Sequence, residues 1–181
     1  MMYRLEELDT VIRRQRTVHE AGLISSAKRA GIGAPFVYFV SQPRTTIIME
    51  YVRGERMRDL VAGLGAREAS VLFRKMGSAA AKLHSAGIMH GDLTTANVIV
   101  RDGGLVFVDF GLSVHSTRVE DHAVDLRLIK ETITGAHAAI AGPATDALLE
   151  GYAEVAGERR AAAVRRQLRE IERRGRYARV E

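Results

Sequence analysis

The chain has 181 residues, of which 46% are hydrophobic, so it is long enough to form one domain with a substantial core. It contains no cysteine, which excludes disulfides and thiolate metal sites and fits a cytoplasmic location. No apolar run approaches the roughly 18 residues that a membrane-spanning helix needs, and the first residues lack a signal-peptide core, so we expect no membrane contact. The formal net charge of +5 is concentrated in residues 159–179, which contain nine arginines. Such a cluster indicates a contact with nucleic acid or an acidic partner, or simply a solvated helix.

The first quarter of the chain predicts one long helix followed by a β-hairpin. Apolar residues recur at helical spacing over residues 5–30, and residues 31–35 end the helix with two glycines and a proline. These glycines follow a helix and not a strand, so we interpret them as a helix stop and not as a phosphate-binding loop. Two β-branched and aromatic runs at 36–40 and 46–52 then flank a turn at 42–44, which predicts the hairpin.

The rest of the chain is predicted to be mainly helical, apart from a second hairpin. Its predicted helices lie near residues 56–62, 67–86, 120–134 and 144–156, and from Gly157 to about residue 174. The pair Gly142-Pro143 is expected to separate two of them. We therefore expect a small strand-containing front part, up to about residue 52, and a helical remainder.

The second hairpin carries the residues that point to chemistry. Apolar runs at 98–100 and 105–108 flank the turn Gly103-Gly104. Asp92 and Asn97 precede the first strand and Asp109 follows the second, so folding the hairpin brings Asn97 and Asp109 side by side. Two carboxylates and an amide are oxygen ligands of the kind that Mg²⁺ takes, together with waters and substrate phosphates. The pattern therefore indicates phosphoryl transfer from ATP.

Three short motifs frame the second hairpin: His90-Gly91-Asp92, Asn97 five residues on, and Asp109-Phe110-Gly111 beyond it. Together they resemble the catalytic loop and metal-binding motif of protein kinases. The His-Gly-Asp form is similar to that of three atypical families. These are the aminoglycoside phosphotransferases, the RIO-type kinases and the small kinase subunit of the KEOPS complex, the PRPK family. The last resemblance is the strongest, and it is carried from Tyr3 to Tyr177 by the strings at 3–21, 49–55, 90–97, 120–126 and 174–177.

This resemblance implies an α+β, protein-kinase-like, two-lobed fold in a single domain that uses ATP and Mg²⁺. Residues 1–52 would form a partial N-lobe with the hinge, and residues 53–181 would form the C-lobe with its basic tail. In the C-lobe, Asp92 would orient the attacking group and accept its proton, with His90 supporting the loop. Asn97 and Asp109 would hold the metal ion against the phosphates.

The remaining roles that the resemblance implies concern the nucleotide and the loop. Glu50, Tyr51 and Val52 would form the hinge that binds adenine through backbone groups, and Ile99 would form the floor of that pocket. Asp125 would anchor the catalytic loop through backbone amides. Glu20, in the first helix, would be the partner of a phosphate-binding lysine.

The resemblance also implies a role in threonylcarbamoyladenosine modification of tRNA, beside the transferase subunit and the other subunits of the KEOPS complex. In the basic tail, Arg174, Arg176 and Tyr177 would contact tRNA or the partner. Two alternatives remain open at this point. One is a catalytically impaired scaffold or RNA-binding subunit with the same fold, and the other is a small-molecule phosphotransferase of the aminoglycoside type.

One departure from the kinase pattern concerns the N-lobe. A kinase has a glycine-rich loop over the phosphates and a lysine that pairs with Glu20, and we find neither. Lys28 lies in the same predicted helix as Glu20, about two turns further on, and cannot take that place in the usual way. We therefore expect a truncated N-lobe and weak ATP binding. The chain would then be a fragment or a reading frame begun too late at Met1 or Met2, or else a reduced protein whose open strand edge is covered by a partner.

Overall fold

A computed structural model of the chain describes the backbone of residues 2–177 and the side chains of residues 7–175. Within these limits the helices are α1 (Met2–Arg29), α2 (Met57–Ala62), α3 (Ala66–Ser85), α4 (Val119–Ala136), α5 (Ala141–Ala156) and α6 (Glu158–Tyr177). The strands are β1 (Val37–Ser41), β2 (Thr46–Met49), β3 (Glu55–Arg56), β4 (Ile88–Met89), β5 (Val98–Arg101), β6 (Gly104–Phe107) and β7 (Val114–His115). Short 3-10 turns at Thr95–Asn97 and Ala138–Ile140 complete the described elements.

The front part consists of α1 packed on the antiparallel hairpin β1–β2. Only the second half of α1 contributes to the core, where Leu23, Ile24 and Ala27 are fully buried. The side chains of residues 7–16 are all exposed, so the first half of the helix is covered by nothing in the described part of the chain.

The remaining strands form two small sheets at the junction of the two parts. Strands β3, β5 and β6 pair in that order, and β4 pairs with β7. The segment after α1 lies directly against β6, because the Phe107 N–H donates to the Gly33 carbonyl over 2.8 Å. A side chain at Gly33 would come within 2.0 Å of the Leu105 carbonyl oxygen, so only glycine permits this approach. The front part is thereby held on the β5–β6 hairpin, which carries the predicted site residues and is called the catalytic hairpin below.

The helical part is built around α3, whose apolar face includes the buried Leu72, Phe73 and Met76. Helix α5 packs so closely on α3 that both helices need glycine at the crossing. A Cβ at Gly77 of α3 would lie 1.9 Å from the Leu148 carbonyl oxygen, and a Cβ at Gly151 of α5 would lie 2.0 Å from that of Arg74. The two backbones are therefore in direct contact.

The predicted order of a strand-containing front part and a mainly helical remainder is confirmed, with small shifts of the helix ends. One expectation was wrong. Gly142-Pro143 does not separate two helices but lies in the first turn of α5, which begins at Ala141. Proline is tolerated there because the first backbone N–H groups of a helix have no intrahelical acceptor.

Gly77→Ala should lower the free energy of unfolding by about 1–3 kcal/mol, because the new methyl group overlaps a backbone carbonyl that cannot move aside. Gly135→Ala is the matched control. Gly135 lies in the last turn of α4 with no atom within 4 Å of its would-be Cβ, so this substitution should be neutral or stabilise by up to about 1 kcal/mol. Urea unfolding followed by circular dichroism measures both, and equal losses would contradict the close packing.

Candidate active site

The catalytic loop is held in shape by a hydrogen bond between two of its predicted functional residues. Asn97 ends a single 3-10 turn, and its Nδ2 donates to Asp92 Oδ2 over 2.8 Å and to the Asp92 carbonyl over 3.0 Å. The amide nitrogen is thereby used within the loop. The amide carbonyl oxygen of Asn97 has no partner among residues 7–175 and is left as an acceptor.

The third of these residues, Asp109, lies beside Asn97 because β5 and β6 pair in register. The Val108 N–H donates to the Asn97 carbonyl over 3.0 Å, which places the next residue, Asp109, against the loop. Asp109 has a φ of 62°, in the left-handed region that aspartate tolerates better than most residues. Its exposed carboxylate receives one long contact of 3.4 Å from the Gly111 N–H. Strained backbone of this kind tends to occur at functional positions.

His90 supports the loop by packing. Its ring is fully buried, with its centroid 4.8 Å from that of Phe110 and 6.2 Å from that of Phe107. Within the described residues, neither ring nitrogen has a hydrogen-bond partner of good geometry. Burial lowers the pKa of His90, against the opposing effect of the three nearby aspartates and a weak interaction with the Val108 backbone. The neutral ring therefore acts as a spacer between the loop and the hairpin.

Gly91 has to be a glycine for two separate reasons. Its φ is 81°, and a Cβ there would lie 2.3 Å from the Leu112 carbonyl oxygen. The catalytic loop thus passes directly beneath the segment that follows Asp109. The Ser113 hydroxyl fixes this crossing by donating to the His90 carbonyl over 2.8 Å.

Asp125 holds the same loop from the opposite side. Its carboxylate is completely buried and accepts the N–H of His90 over 2.7 Å and the N–H of Gly91 over 2.8 Å. Nε2 of His84 makes a third contact of 3.1 Å. The family resemblance implied contacts between Asp125 and backbone amides of this loop, and the structure places the carboxylate against those of His90 and Gly91.

Glu20 lies near Asp109 but has no cationic partner. Burial and the negative charge of Asp109 raise the pKa of Glu20, and a Cβ at Gly111 would lie 3.8 Å from its Oε2. Within residues 7–175 it makes no ion pair. Lys28 is used elsewhere, because its Nζ donates to the Ala34 carbonyl over 2.9 Å.

In the predicted hinge, the Glu50 side chain is bonded within the fold, and the Glu50 N–H donates to the Phe36 carbonyl over 2.7 Å. Glu50 Oε1 accepts from Arg101 over 2.6 Å and Oε2 accepts from the Phe36 N–H over 3.0 Å. The bond to Arg101, followed by that from Phe36, lowers the pKa of Glu50. Tyr51 is 85% exposed, so its side chain projects away from the fold.

Val52 is the last of the predicted hinge residues, and Ile99 lies in β5. Val52 is buried and Ile99 is half-buried. The chain then crosses β5 at Gly54, where a Cβ would lie 2.6 Å from Ile99 Cγ2 and 2.4 Å from the Val100 carbonyl oxygen. Glycine therefore brings the chain after the hinge close to the predicted adenine floor.

The basic tail forms α6, which buries an apolar stripe of Ala161, Val164 and Leu168. Arg174 is exposed and makes a long ion pair of 3.9 Å with Glu170. The side chains of Arg176 and Tyr177 lie outside the described residues. Most of the remaining described arginines of this helix are exposed too.

Sequence reasoning missed a largely buried polar network behind Asp125. The members of this network are His84, His122, Tyr152 and Arg160. No short-range spacing marks them as a group, because they come from four different helices. The one available signal was His84, which continues the four-residue spacing of Met76 and Ala80 on the buried face of α3.

The donor set fits a magnesium ion. Asp109 offers an exposed carboxylate and Asn97 a free amide oxygen, and Mg²⁺ needs only one or two such protein ligands beside substrate phosphates. Among residues 7–175, no group of three or more His, Asp or Glu side chains is arranged to hold a metal. The chemistry of the site therefore depends on a phosphate-bearing substrate to complete the coordination of the ion.

A loop of this geometry, paired with an aspartate that follows the next strand, defines a protein kinase type of site. Comparison with protein families agrees, because residues 4–136 match the protein kinase domain. Among solved structures, the chain is similar to the Rio2 kinase–ADP/Mg²⁺–phosphoaspartate complex from Chaetomium thermophilum, with a TM-score of 0.59 and 17% identity. That match covers 89% of this chain and 55% of Rio2, and it shows the fold.

Curated relatives identify a smaller group within the protein kinases. The KEOPS complex subunit Bud32 of Pyrococcus abyssi is 40% identical over 97% of this chain and 80% of the relative. A probable serine/threonine-protein kinase BUD32 homolog of Archaeoglobus fulgidus is 39% identical over 97% of this chain and 83% of the relative. A probable bifunctional tRNA threonylcarbamoyladenosine biosynthesis protein of Methanothermobacter thermautotrophicus is 42% identical, but the chain spans only 31% of its length.

The chain therefore belongs to the protein kinase domain family and, within it, to the small atypical kinases of the KEOPS complex. This confirms the predicted kinase-like fold, with one hairpin and a long helix in front of a mainly helical C-lobe. None of the described helices is long and apolar enough to cross a membrane.

The stability of the fold should fall as the pH drops below about 6.5, in part because of His122. Burial first, and then His84, lower the pKa of His122 to about 4. Below pH 6.5 the ring of His122 is therefore protonated in the unfolded chain but stays neutral in the folded chain, which favours unfolding. Between pH 7 and pH 5, His122→Phe should lose less stability than the parent chain, by roughly 2 kcal/mol.

Urea midpoints at pH 7, 6 and 5 measure this difference. His115→Phe is the matched control for loss of an exposed imidazole. Equal pH slopes for His122→Phe and the parent chain would contradict the assignment to His122.

Proposed function

We propose that the protein is an ATP-dependent kinase or ATPase that supports threonylcarbamoyladenosine modification of tRNA within a KEOPS-type complex. The observation that carries the proposal is the bonded pair Asp92 and Asn97 next to the exposed carboxylate of Asp109. The names of the curated relatives favour this role over that of a small-molecule phosphotransferase.

Each of the three residues has a separate task in phosphoryl transfer. Asp92 accepts the proton of the attacking hydroxyl or water and is oriented by the Asn97 amide. Asn97 Oδ1 and the Asp109 carboxylate are the groups that would hold magnesium, which neutralises charge on the phosphates when it is bound. His90, Gly91 and the bonds to Asp125 keep this geometry fixed before substrate arrives, which is where most of the rate gain in such reactions originates.

The nucleotide would be held by the hinge. Backbone groups of Glu50, Tyr51 and Val52 would bind adenine, because the Glu50 carboxylate is already paired with Arg101. Ile99 would lie beneath the ring as the floor. Glu20 is the proposed partner of a phosphate-binding lysine, and burial and the negative charge of Asp109 raise its pKa.

Water is the acceptor that the geometry favours. The segment between Gly111 and Asp125 is short and fixed along its length. Its strand β7 pairs with β4, and His19 Nε2 contacts the Ser113 carbonyl at 3.1 Å. A segment held so tightly leaves little surface for a protein substrate, so ATP hydrolysis coupled to a partner fits better than broad protein phosphorylation.

The basic helix is the proposed contact with the rest of the complex. Exposed arginines on one face of α6, with Arg174, Arg176 and Tyr177 near its end, would meet tRNA or the transferase subunit. Such a protein would work in the cytoplasm, where tRNA is modified.

Asp92→Asn should reduce Mg²⁺-ATP turnover by at least about 100-fold, because an amide cannot accept the proton in the transition state. Phosphate release, measured with and without the transferase subunit and tRNA, is the assay. Asp102→Asn is the matched control, since Asp102 is exposed in the turn of the same hairpin and has a φ of 51° that asparagine tolerates.

Turnover that is unchanged by Asp92→Asn would refute the proposal. If tRNA modification survives Asp92→Asn but is lost when the tail is deleted, the protein is a scaffold or RNA-binding subunit and not the enzyme of the complex.

The double substitution Arg174→Ala, Arg176→Ala should weaken tRNA binding and flatten its dependence on salt. Each phosphate contact that is lost lowers the slope of log K against log salt by about 1. Fluorescence anisotropy of labelled tRNA at several salt concentrations measures this slope. The double substitution Arg44→Ala, Arg67→Ala removes two exposed arginines outside α6 and is the control for net charge. An equal effect of this control would contradict a local contact.

A further inference from the structure

One arginine of α6 differs from its exposed neighbours because it is half-buried and makes two specific contacts. Arg160 Nη2 donates to the Thr117 carbonyl over 2.6 Å and lies 2.9 Å from His122 Nδ1. Thr117 belongs to the segment that follows Asp109, and His122 belongs to α4. Arg160 therefore connects the basic helix to the active-site side of the molecule.

The contacts of His122 determine which form of its ring is present. Its Nε2 lies 3.1 Å from the Ser116 carbonyl, which can only accept, so Nε2 carries the proton. Nδ1 is then an acceptor for the Arg160 guanidinium. Only a neutral ring can make both bonds, and the low pKa of His122 agrees with this.

From His122 the contacts continue inward to the catalytic loop. The His122 ring stacks on that of His84 with centroids 4.0 Å apart and planes 14° apart. Nδ1 of His84 lies 2.9 Å from the Tyr152 hydroxyl, and its Nε2 lies 3.1 Å from Asp125 Oδ2. That same oxygen accepts the backbone N–H of His90.

We propose that Arg160 is a positioning residue for the catalytic loop. By holding His122 and Thr117, it fixes the stacked rings that orient the Asp125 carboxylate, and that carboxylate fixes the loop that carries Asp92. The effect on catalysis rests on the proposed function. The effect on loop geometry depends only on the contacts of this chain and can be measured without activity.

Hydrogen bonds from a guanidinium are stronger than neutral ones, and one of the two residues that Arg160 bonds, His122, is buried. Without it, His122 loses its donor and the Thr117 segment loses its link to α6. The rings then gain freedom to tilt, and the Asp125 carboxylate gains freedom to rotate away from the two amides. Disorder introduced at the start of α6 would thus reach the loop through a few direct contacts.

Amide exchange measured by NMR tests the geometric part. In Arg160→Ala, the backbone amides of His90 and Gly91 should exchange roughly tenfold faster, while those of the α3–α5 core keep their rates. Arg159→Ala is the matched control, because Arg159 is the adjacent arginine and is exposed. It should leave both amides unchanged.

Mg²⁺-ATP turnover tests the catalytic part. Arg160→Ala should lower kcat roughly tenfold with little change in the KM for ATP, since Arg160 is remote from the hinge. Arg160→Lys should recover part of kcat, because an ammonium can still donate to the Thr117 carbonyl. If the parent chain turns over no ATP even with the transferase subunit and tRNA, the proposed function fails, and the amide exchange alone then decides on Arg160.

The proposal is overturned if the His90 and Gly91 amides exchange equally fast in Arg160→Ala and in the parent chain. It is also overturned if all amides exchange faster by the same factor, because that result would show only a loss of overall stability. If Arg160→Ala does not fold, Arg160→Lys is compared with Arg159→Lys in the same two measurements. Equal loop exchange in that pair would also overturn it.

Discussion

The structure depends on one buried anion. The Asp125 carboxylate has no exposed surface, and leaving it without donors in the interior would cost several kcal/mol. Its donors are the backbone N–H groups of His90 and Gly91 together with the His84 ring. Two of the three therefore belong to the catalytic loop itself. The loop conformation is a requirement for burying the charge, and the placement of Asp92 follows from it.

Close contacts between backbones fix the positions of other parts of the molecule. Gly33 sets the front part on the catalytic hairpin, Gly91 lets the loop pass beneath the segment after Asp109, and Gly77 with Gly151 brings α3 and α5 together. In each case the space where a side chain would lie is occupied by a backbone carbonyl. At these contacts the parts of the molecule are positioned by direct contact between backbones. That kind of rigidity suits a reaction in which positioning supplies most of the rate.

Local patterns in the sequence predicted the long helices, both hairpins and the grouping of Asp92, Asn97 and Asp109, since helical periodicity and glycine turns act over short distances. The Asp125 contact followed from family resemblance and agrees with the geometry. The link from Arg160 to His84 could not be foreseen, because it joins residues of separate helices that only tertiary packing brings together. Nor could the pairing of Glu50 with Arg101, 51 residues apart, which engages the Glu50 carboxylate outside the hinge.

The stacked histidines have a consequence for where the folded unit ends. Asp125 and Arg160 carry opposite charges and stand at the two ends of a series of contacts that runs through the stacked rings of His84 and His122. The match to the protein kinase domain stops at residue 136, before Arg160. A chain cut there would retain the Asp125 carboxylate and lose the guanidinium at the other end of the series. By these contacts, we expect α6 to belong to the same folded unit as the catalytic loop.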